Sequence, residues 1–381
     1  MKVLMLSQEV HPIPPTKGAA VEQWIEAVAH RCKRYAPLVI SVPHPQRPDE
    51  ETVGNVLYHR IRIGRLYRRL FRKLTRLDPW SYCDRIVEFA RKEAPAIVHI
   101  HNAPQFVDPL RRSLPDTPLI LHMHNESERR FTSRVDALIG CSRYIENWYR
   151  KRGIKAGHFG TLRNGVDTVS FSPVGADVRV ALRERFGLPA DRFVVLYSGR
   201  ISPEKGPDML AAAFAHLDPA RYHWAIVGEW PQGDASVSQR VAFAHAMKEQ
   251  MRGLPVTLLG CRAPETMAEV YRAADLLAIP SRMEEPFSMV AIEAMACGLP
   301  VLALAKGGMV EYMNDGENAR LLSARANVAE FAVAIEAVAA DAKLRAKIAT
   351  GGRSLVVEHF DWNHIATDLE ALYDRLLGVS S

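Results

Sequence analysis

Short apolar runs recur along this chain, each followed by a segment long enough for a helix. Five fall at 2–6, 38–42, 96–101, 119–124 and 137–141. A second five fall at 193–199, 223–227, 256–260, 276–280 and 301–305. Nearly continuous apolar runs of this length predict strands covered on both faces, the condition of a parallel sheet. Two series predict two doubly wound α/β domains, residues 1–170 and 171–359. Turn-forming residues cluster between them, from Asn164-Gly165-Val166-Asp167 to Pro173. Beyond 305 the pattern is helical, with Ala-rich stretches over 324–350 and a last helix near 362–377. The segment Phe360-Asp361-Trp362 reads as a joint, and residues 360–381 are expected to pack back on the first domain.

Composition narrows the class. In 381 residues, 48% hydrophobic and 24% charged content excludes a disordered chain and allows two cores. Cys32, Cys83, Cys141, Cys261 and Cys297 are scattered, with no pair at metal-ligand or redox spacing, which argues against a disulfide framework or a zinc site. The first apolar run is broken by Gln8 and Glu9, too early for a signal peptide, and no run approaches the ~18 apolar residues of a membrane span. A cytoplasmic protein is expected. The net charge of +6 hides an asymmetry: residues 1–170 hold 28 Lys+Arg against 17 Asp+Glu, the remainder 21 against 26. A basic first half suits phosphate-bearing molecules, an anionic membrane surface or nucleic acid.

Ligands of open α/β sheets bind beyond the carboxyl ends of strands, so the strand-to-helix turns hold the candidate chemistry. After the first strand comes Pro12-Ile13-Pro14-Pro15-Thr16-Lys17-Gly18-Ala19-Ala20, where Gly18 lets a ligand approach backbone N–H groups and Lys17 adds charge. A plain proline-rich turn would look the same. The turn Ser198-Gly199-Arg200-Ile201-Ser202-Pro203-Glu204-Lys205-Gly206 carries two cations able to converge on one polyanion. After 280, a helix opens around Phe287, Ser288 and Met289, with Glu285 before it and Glu293 inside it. Its N-terminus offers unpaired N–H groups to a phosphate. A helical carboxylate such as Glu293 can accept two hydrogen bonds from a ribose diol; a hydrolase acid/base pair of Glu285 and Glu293 is the rival reading. Lys306-Gly307-Gly308 closes the next strand. In the first half, His101, His122 and His124 stand at strand ends, the last two on one side of their strand. No close carboxylate or Cys completes a metal set, so His124 is the better candidate for a reaction site than for a metal. There is no Asp-x-Asp, Walker loop or Gly-x-Gly-x-x-Gly.

Residues 60–76 hold eight Lys/Arg and no acid. Leu66, Leu70, Phe71, Leu74 and Leu77 fall at helical spacing among the cations. This predicts a basic amphipathic helix suited to an anionic lipid surface, or a surface helix packed by its apolar side. Nucleic-acid binding is not indicated, since no recognised module accompanies the charge.

Taken together these motifs resemble family 4 of the retaining glycosyltransferases over nearly the whole chain. The likeness rests on Asn164-Gly165-Val166-Asp167 before Phe171, on Gly199-Arg200 with Glu204-Lys205-Gly206, and on Glu285 and Glu293 separated by seven residues. Gly307-Gly308 with Glu311, then Asp315-Gly316, extend it. The resemblance implies the GT-B architecture, two Rossmann-like domains facing each other across a cleft. It implies transfer of a hexose or N-acetylhexosamine from a nucleotide-sugar, UDP-linked ahead of GDP-linked, to a glycan, lipid-linked or small-molecule acceptor in envelope or surface glycan synthesis. No metal or further cofactor is implied. Arg200 and Lys205 would hold the diphosphate, Glu293 the ribose and Glu285 the donor sugar. The N–H groups of Phe287, Ser288 and Met289 would complete the cradle. His124 would line the transfer site, Gly18 would admit the acceptor side, and Arg262 would lie near the base. Ala19, Ser288 and Ala319 stand where the family commonly has glycine. An epimerase or hydrolase on the same fold, or a weakly catalytic membrane scaffold, are the alternatives.

Overall fold

The computed structural model describes residues 1–16, 18–75, 77–233 and 238–379, Arg72 by its backbone only. Lys17, named above, and Arg76, the last cation of the 60–76 stretch, lie outside the described residues. The chain forms two units, Met1–Asn164 with Trp362–Ser381, and Gly165–Asp361. The division falls at 165 rather than 171 because Val166 N–H donates to the Phe360 carbonyl (2.8 Å) and Thr168 Oγ donates to Asp361. Both partners therefore lie in the second unit.

The first unit holds β1 (Lys2–Leu6), β2 (Ala36–Ser41), β3 (Glu50–Val53), β4 (Val56–Arg60), β5 (Ile97–His101), β6 (Leu119–Met123), β7 (Val135–Gly140) and β8 (Ala156–Thr161). They lie in the order β3-β4-β2-β1-β5-β6-β7-β8, parallel except for β3–β4. Every residue of β5 and β6 is buried, as expected of strands covered on both faces. The last helix, Trp362–Leu377, belongs here. It buries Ile365, Leu369 and Tyr373, and Glu370 Oε1 accepts from the N–H groups of Lys33 (2.8 Å) and Arg34 (2.7 Å).

The second unit holds β9 (Phe193–Ser198), β10 (Tyr222–Val227), β11 (Val256–Gly260), β12 (Leu276–Ile279), β13 (Val301–Leu304) and β14 (Arg320–Leu322), all parallel, in the order β11-β10-β9-β12-β13-β14. Its core gathers Trp224, stacked on Phe214 at 5.6 Å, with Leu210, Tyr222, Phe331 and Ile335.

All ten expected strands are present, and β3, β4, β8 and β14 are additional. These four lie toward the sheet margins, where exposed and polar positions interrupt the apolar run that marks an interior strand. Strand order also fixes where each sheet reverses direction. The chain runs outward from β1 to β2 and then returns to β5, and outward from β9 to β11 and then returns to β12. The two reversal points, β1/β5 and β9/β12, are where an open α/β sheet leaves a crevice beyond its strand ends.

Candidate functional site

At the β9/β12 reversal the Arg200 and Glu285 loops meet. Leaving β9, the chain makes a short 3-10 turn over Pro203–Lys205 and enters the helix Pro207–Phe214. Gly206 joins the two at φ +66, and a Cβ there would stand 2.3 Å from the Pro280 carbonyl oxygen, so only glycine lets this loop close against the end of β12. The N–H groups of Arg282 (2.9 Å) and Met283 (3.1 Å) both donate to the Glu204 carbonyl, locking the loops together. Arg282 holds Asp208 through two contacts of 2.6 and 2.7 Å.

This closure brings Lys205 Nζ to the Glu285 carboxylate, 2.7 Å from Oε1 and 3.0 Å from Oε2. Glu285 is buried and also accepts from Ser281 Oγ. Gly307 packs on its backbone: φ is +58, and an added Cβ would lie 2.2 Å from the Glu285 carbonyl oxygen. Gly308 N–H donates to that oxygen at 2.7 Å. Arg200 stands exposed beside this pair, in loose contact (4.0 Å) with Glu204, its own carbonyl accepting from Tyr197 OH at 2.7 Å.

The helix Met289–Ala296 follows, and its first N–H groups have no carbonyl a turn earlier to bond. Phe287 is buried against Tyr312 and Phe360, and its carbonyl accepts from Tyr312 OH at 2.6 Å, which fixes the helix start. Ser288 adopts φ 76, ψ 89, a conformation that favours glycine. Glu293 accepts from Tyr271 OH at 2.7 Å. Burial raises its carboxyl to about 7, with the tyrosine hydrogen bond opposing the rise. Arg262 follows β11 at the sheet margin, its guanidinium 5.5 Å over the Phe186 ring.

In the first unit, β5 and β6 stack four histidines under Trp24. His122 and His124 do share a side of their strand, ring centroids 4.2 Å apart, and Trp24 lies 4.9 Å from both His101 and His122. His124 is fixed by Asn164 Oδ1 at Nδ1 (3.1 Å), by His101 Nδ1 at Nε2 (3.2 Å), and by Asn102 Oδ1, which accepts from its backbone N–H at 2.7 Å. His122 Nε2 lies 3.2 Å from the Leu162 carbonyl, an acceptor only, so that nitrogen carries the proton. Burial pulls His99 down to about 3 and His124 to about 4, and pushes His101 and His122 the same way. All four are neutral at physiological pH.

Among the described residues, ligand atoms of His99, His101 and His122 lie within 4.8 Å of one another. Their rings are stacked, at 29° for His99/His101 and 12° for His99/His122, which turns ring faces rather than nitrogens toward each other. Gly18 is exposed with open space where a Cβ would go, so its own unit imposes no steric demand there.

Sequence reasoning missed the partners that hold these groups: Ser281 under Glu285, Tyr271 on Glu293, Trp24 over the histidines, and Asn102 and Asn164 on His124. Asn102 sits at φ 49 immediately after β5; its place beside His101, and that of Asn164 at the head of the Asn164-Gly165-Val166-Asp167 motif, were the available signals.

Residues 178–355 match the family described as Glycosyl transferases group 1, and residues 21–170 match Glycosyltransferase Family 4. Among curated proteins, the chain is 31% identical to a lipopolysaccharide 1,2-N-acetylglucosaminetransferase of Salmonella typhimurium, over 97% of each chain. It is 25% identical to spore coat protein SA of Bacillus subtilis, over 98% of this chain and all of that one. Among solved structures it resembles a sucrose-phosphate synthase from Thermosynechococcus elongatus, with TM-score 0.81, 23% identity and full coverage of both chains. It also resembles Anabaena HepE in complex with UDP and glucose, with TM-score 0.77, 23% identity, and coverage of 98% of this chain and 100% of that one. These likenesses give both units the GT-B fold.

Proposed function

Since the chain belongs to family 4 of the glycosyltransferases, we propose that it moves a hexose or N-acetylhexosamine from a UDP-linked donor to an acceptor hydroxyl, with retention and without a metal. The observation that carries this reading is the Lys205–Glu285 pair at the β9/β12 reversal, in front of the helix Met289–Ala296 and beside exposed Arg200. Breaking the anomeric bond leaves negative charge on the diphosphate. Arg200, Lys205 and the helix N-terminus supply positive potential to stabilise it, the part a divalent ion plays in other transferases. Lys205 holds the Glu285 carboxylate at the loop junction, where its oxygens can accept sugar hydroxyls. Glu293 lies within that helix and is suited to the ribose diol.

Retention is the stereochemistry the family likeness implies; attack would then come on the face the diphosphate leaves, with a phosphate oxygen taking the acceptor proton. A β-linked product from an α-donor, seen by anomeric NMR, would overturn that stereochemistry. The N-acetylglucosaminyl activity of the Salmonella relative and the UDP in HepE support the choice of donor, and the former supports an envelope glycan as acceptor. The test is a thermal-shift series with UDP, GDP and ADP, then their sugar conjugates, with and without EDTA. UDP should raise the melting temperature selectively and equally in EDTA. No shift with any nucleotide at millimolar concentration removes the donor site and favours a scaffold.

A further inference from the structure

Residues 65–74 form one helical segment, α-helical over Arg65–Tyr67 and continuing as a π-helix over Arg68–Leu74. One side rests on the first unit. Tyr67 and Phe71 rings meet at 4.8 Å, Tyr67 OH accepts from the Trp80 N–H at 2.7 Å, and Arg68 pairs with Glu9 at 2.8 Å. Glu9 belongs to the loop that leaves β1, so the segment is tied to the strand-end loops of its sheet.

The other side is unusual. Leu66, Leu70 and Leu74 stand four apart, on one face, and are 70%, 43% and 67% exposed. Each is preceded by an exposed cation, Arg65, Arg69 and Lys73, which therefore form a second row alongside the leucines. Among the described residues these three cations have no ion-pair partner, whereas the neighbouring Arg60 and Arg62 are held by Glu51 and Asp49.

We propose that this paired row of leucines and cations is a docking surface for an anionic lipid bilayer. Leucine side chains gain by leaving water for the acyl boundary, while the adjacent cations remain at the level of the phosphates. A nucleic acid would reward the cations but leave the leucines in water. A protein partner would need carboxylates facing the cations and an apolar groove for the leucines. The lipid surface satisfies both rows with one planar ligand. The inference rests on the glycosyltransferase reading only for its use: it would hold the strand-end loops of the first unit over an acceptor carried in the membrane.

The test is co-sedimentation of the full chain with phosphatidylcholine vesicles containing or lacking one-third phosphatidylglycerol, at 50 and 300 mM salt. Binding is expected to the anionic vesicles and to weaken with salt. Leu66→Ser/Leu70→Ser/Leu74→Ser should lower the partition coefficient at least about 100-fold with every charge retained. Arg65→Gln/Arg69→Gln/Lys73→Gln should lower it by about 100-fold and remove the salt dependence. UDP thermal shifts on the same proteins report folding and the donor site separately, so loss of vesicle binding with an intact shift concerns this surface alone. The proposal is overturned if wild type ignores anionic vesicles at 50 mM salt, or if the leucine variant binds them as wild type does. It is equally overturned if the leucine row instead holds two copies together, seen as a dimer that the serine substitutions dissociate.

Discussion

Replacing Lys205 by methionine keeps the side chain's stem and removes its charge, leaving the buried Glu285 carboxylate with Ser281 as its remaining side-chain partner. At 2.7 Å and an effective dielectric constant of about 20, the lost attraction is on the order of 6 kcal/mol. Desolvation offsets part of this, and removing one member of a buried pair costs about 3–5 kcal/mol in practice. The Lys205 side chain retains 23% exposure, which places the expected loss at the lower end, about 3 kcal/mol. In a unit the size of Gly165–Asp361 each kcal/mol moves the midpoint by roughly 2–4 °C, so Lys205→Met should lower its Tm by about 6–12 °C. Differential scanning calorimetry at pH 8 measures this. Adding Glu285→Gln removes the stranded charge while keeping its shape, and should restore all but about 1 kcal/mol. On the proposed reading UDP binding behaves differently: it should stay at least about tenfold weaker in the double variant, because the diphosphate would lose its lysine. A single variant that melts within 2 °C of wild type, or a double variant no more stable than the single, would refute the reasoning.

Four further outcomes follow from the same geometry. Ser288→Gly should stabilise the second unit by about 1 kcal/mol, since a residue with a Cβ at φ 76 is strained by more than glycine's extra unfolded freedom offsets; a calorimetric Tm no higher than wild type contradicts this. Gly206→Ala should destabilise by about 3 kcal/mol and weaken UDP binding, because its Cβ meets the Pro280 carbonyl at 2.3 Å. Titration calorimetry should show UDP affinity falling about tenfold per pH unit below 7 as Glu293 is protonated, and Glu293→Gln should abolish that slope. The same raised pKa makes Glu293 favour folding below its unfolded value of 4.5, an advantage lost as the pH rises through 7. The first unit runs the other way: His99 and His124, with native pKa values depressed to about 3 and about 4, contribute stability present above their unfolded value of 6.5 and lost as the pH falls through that range. Its urea midpoint should therefore drop between pH 7 and 5.

The class of fold and the loops that carry charge could be read from the order of residues alone. Runs such as 119–124 and 276–280 announce doubly covered strands because burial on both faces removes polar alternation, and that signal is local. Arg200 and Lys205 were legible as candidates for a related reason: charged residues next to glycines at a strand end mark a place where a backbone turns toward a ligand, while Glu285 and Glu293 stood out as carboxylates before and inside a helix start. Marginal strands were illegible because their side chains answer to solvent as much as to the core, as the exposed β3 and polar β8 show. Strand order, which puts β9 beside β12 and so decides that Lys205 meets Glu285, depends on long-range pairing. So does the gathering of Trp24, Asn102 and Asn164 around the histidines of β5 and β6. The same is true of the exposed leucine row. Its spacing foretold an amphipathic helix, but only packing decided that Tyr67 and Phe71 meet on one side while Leu66, Leu70 and Leu74 stand in water. Hydrophobic periodicity names a face; what covers that face is settled by contacts between residues far apart in the chain.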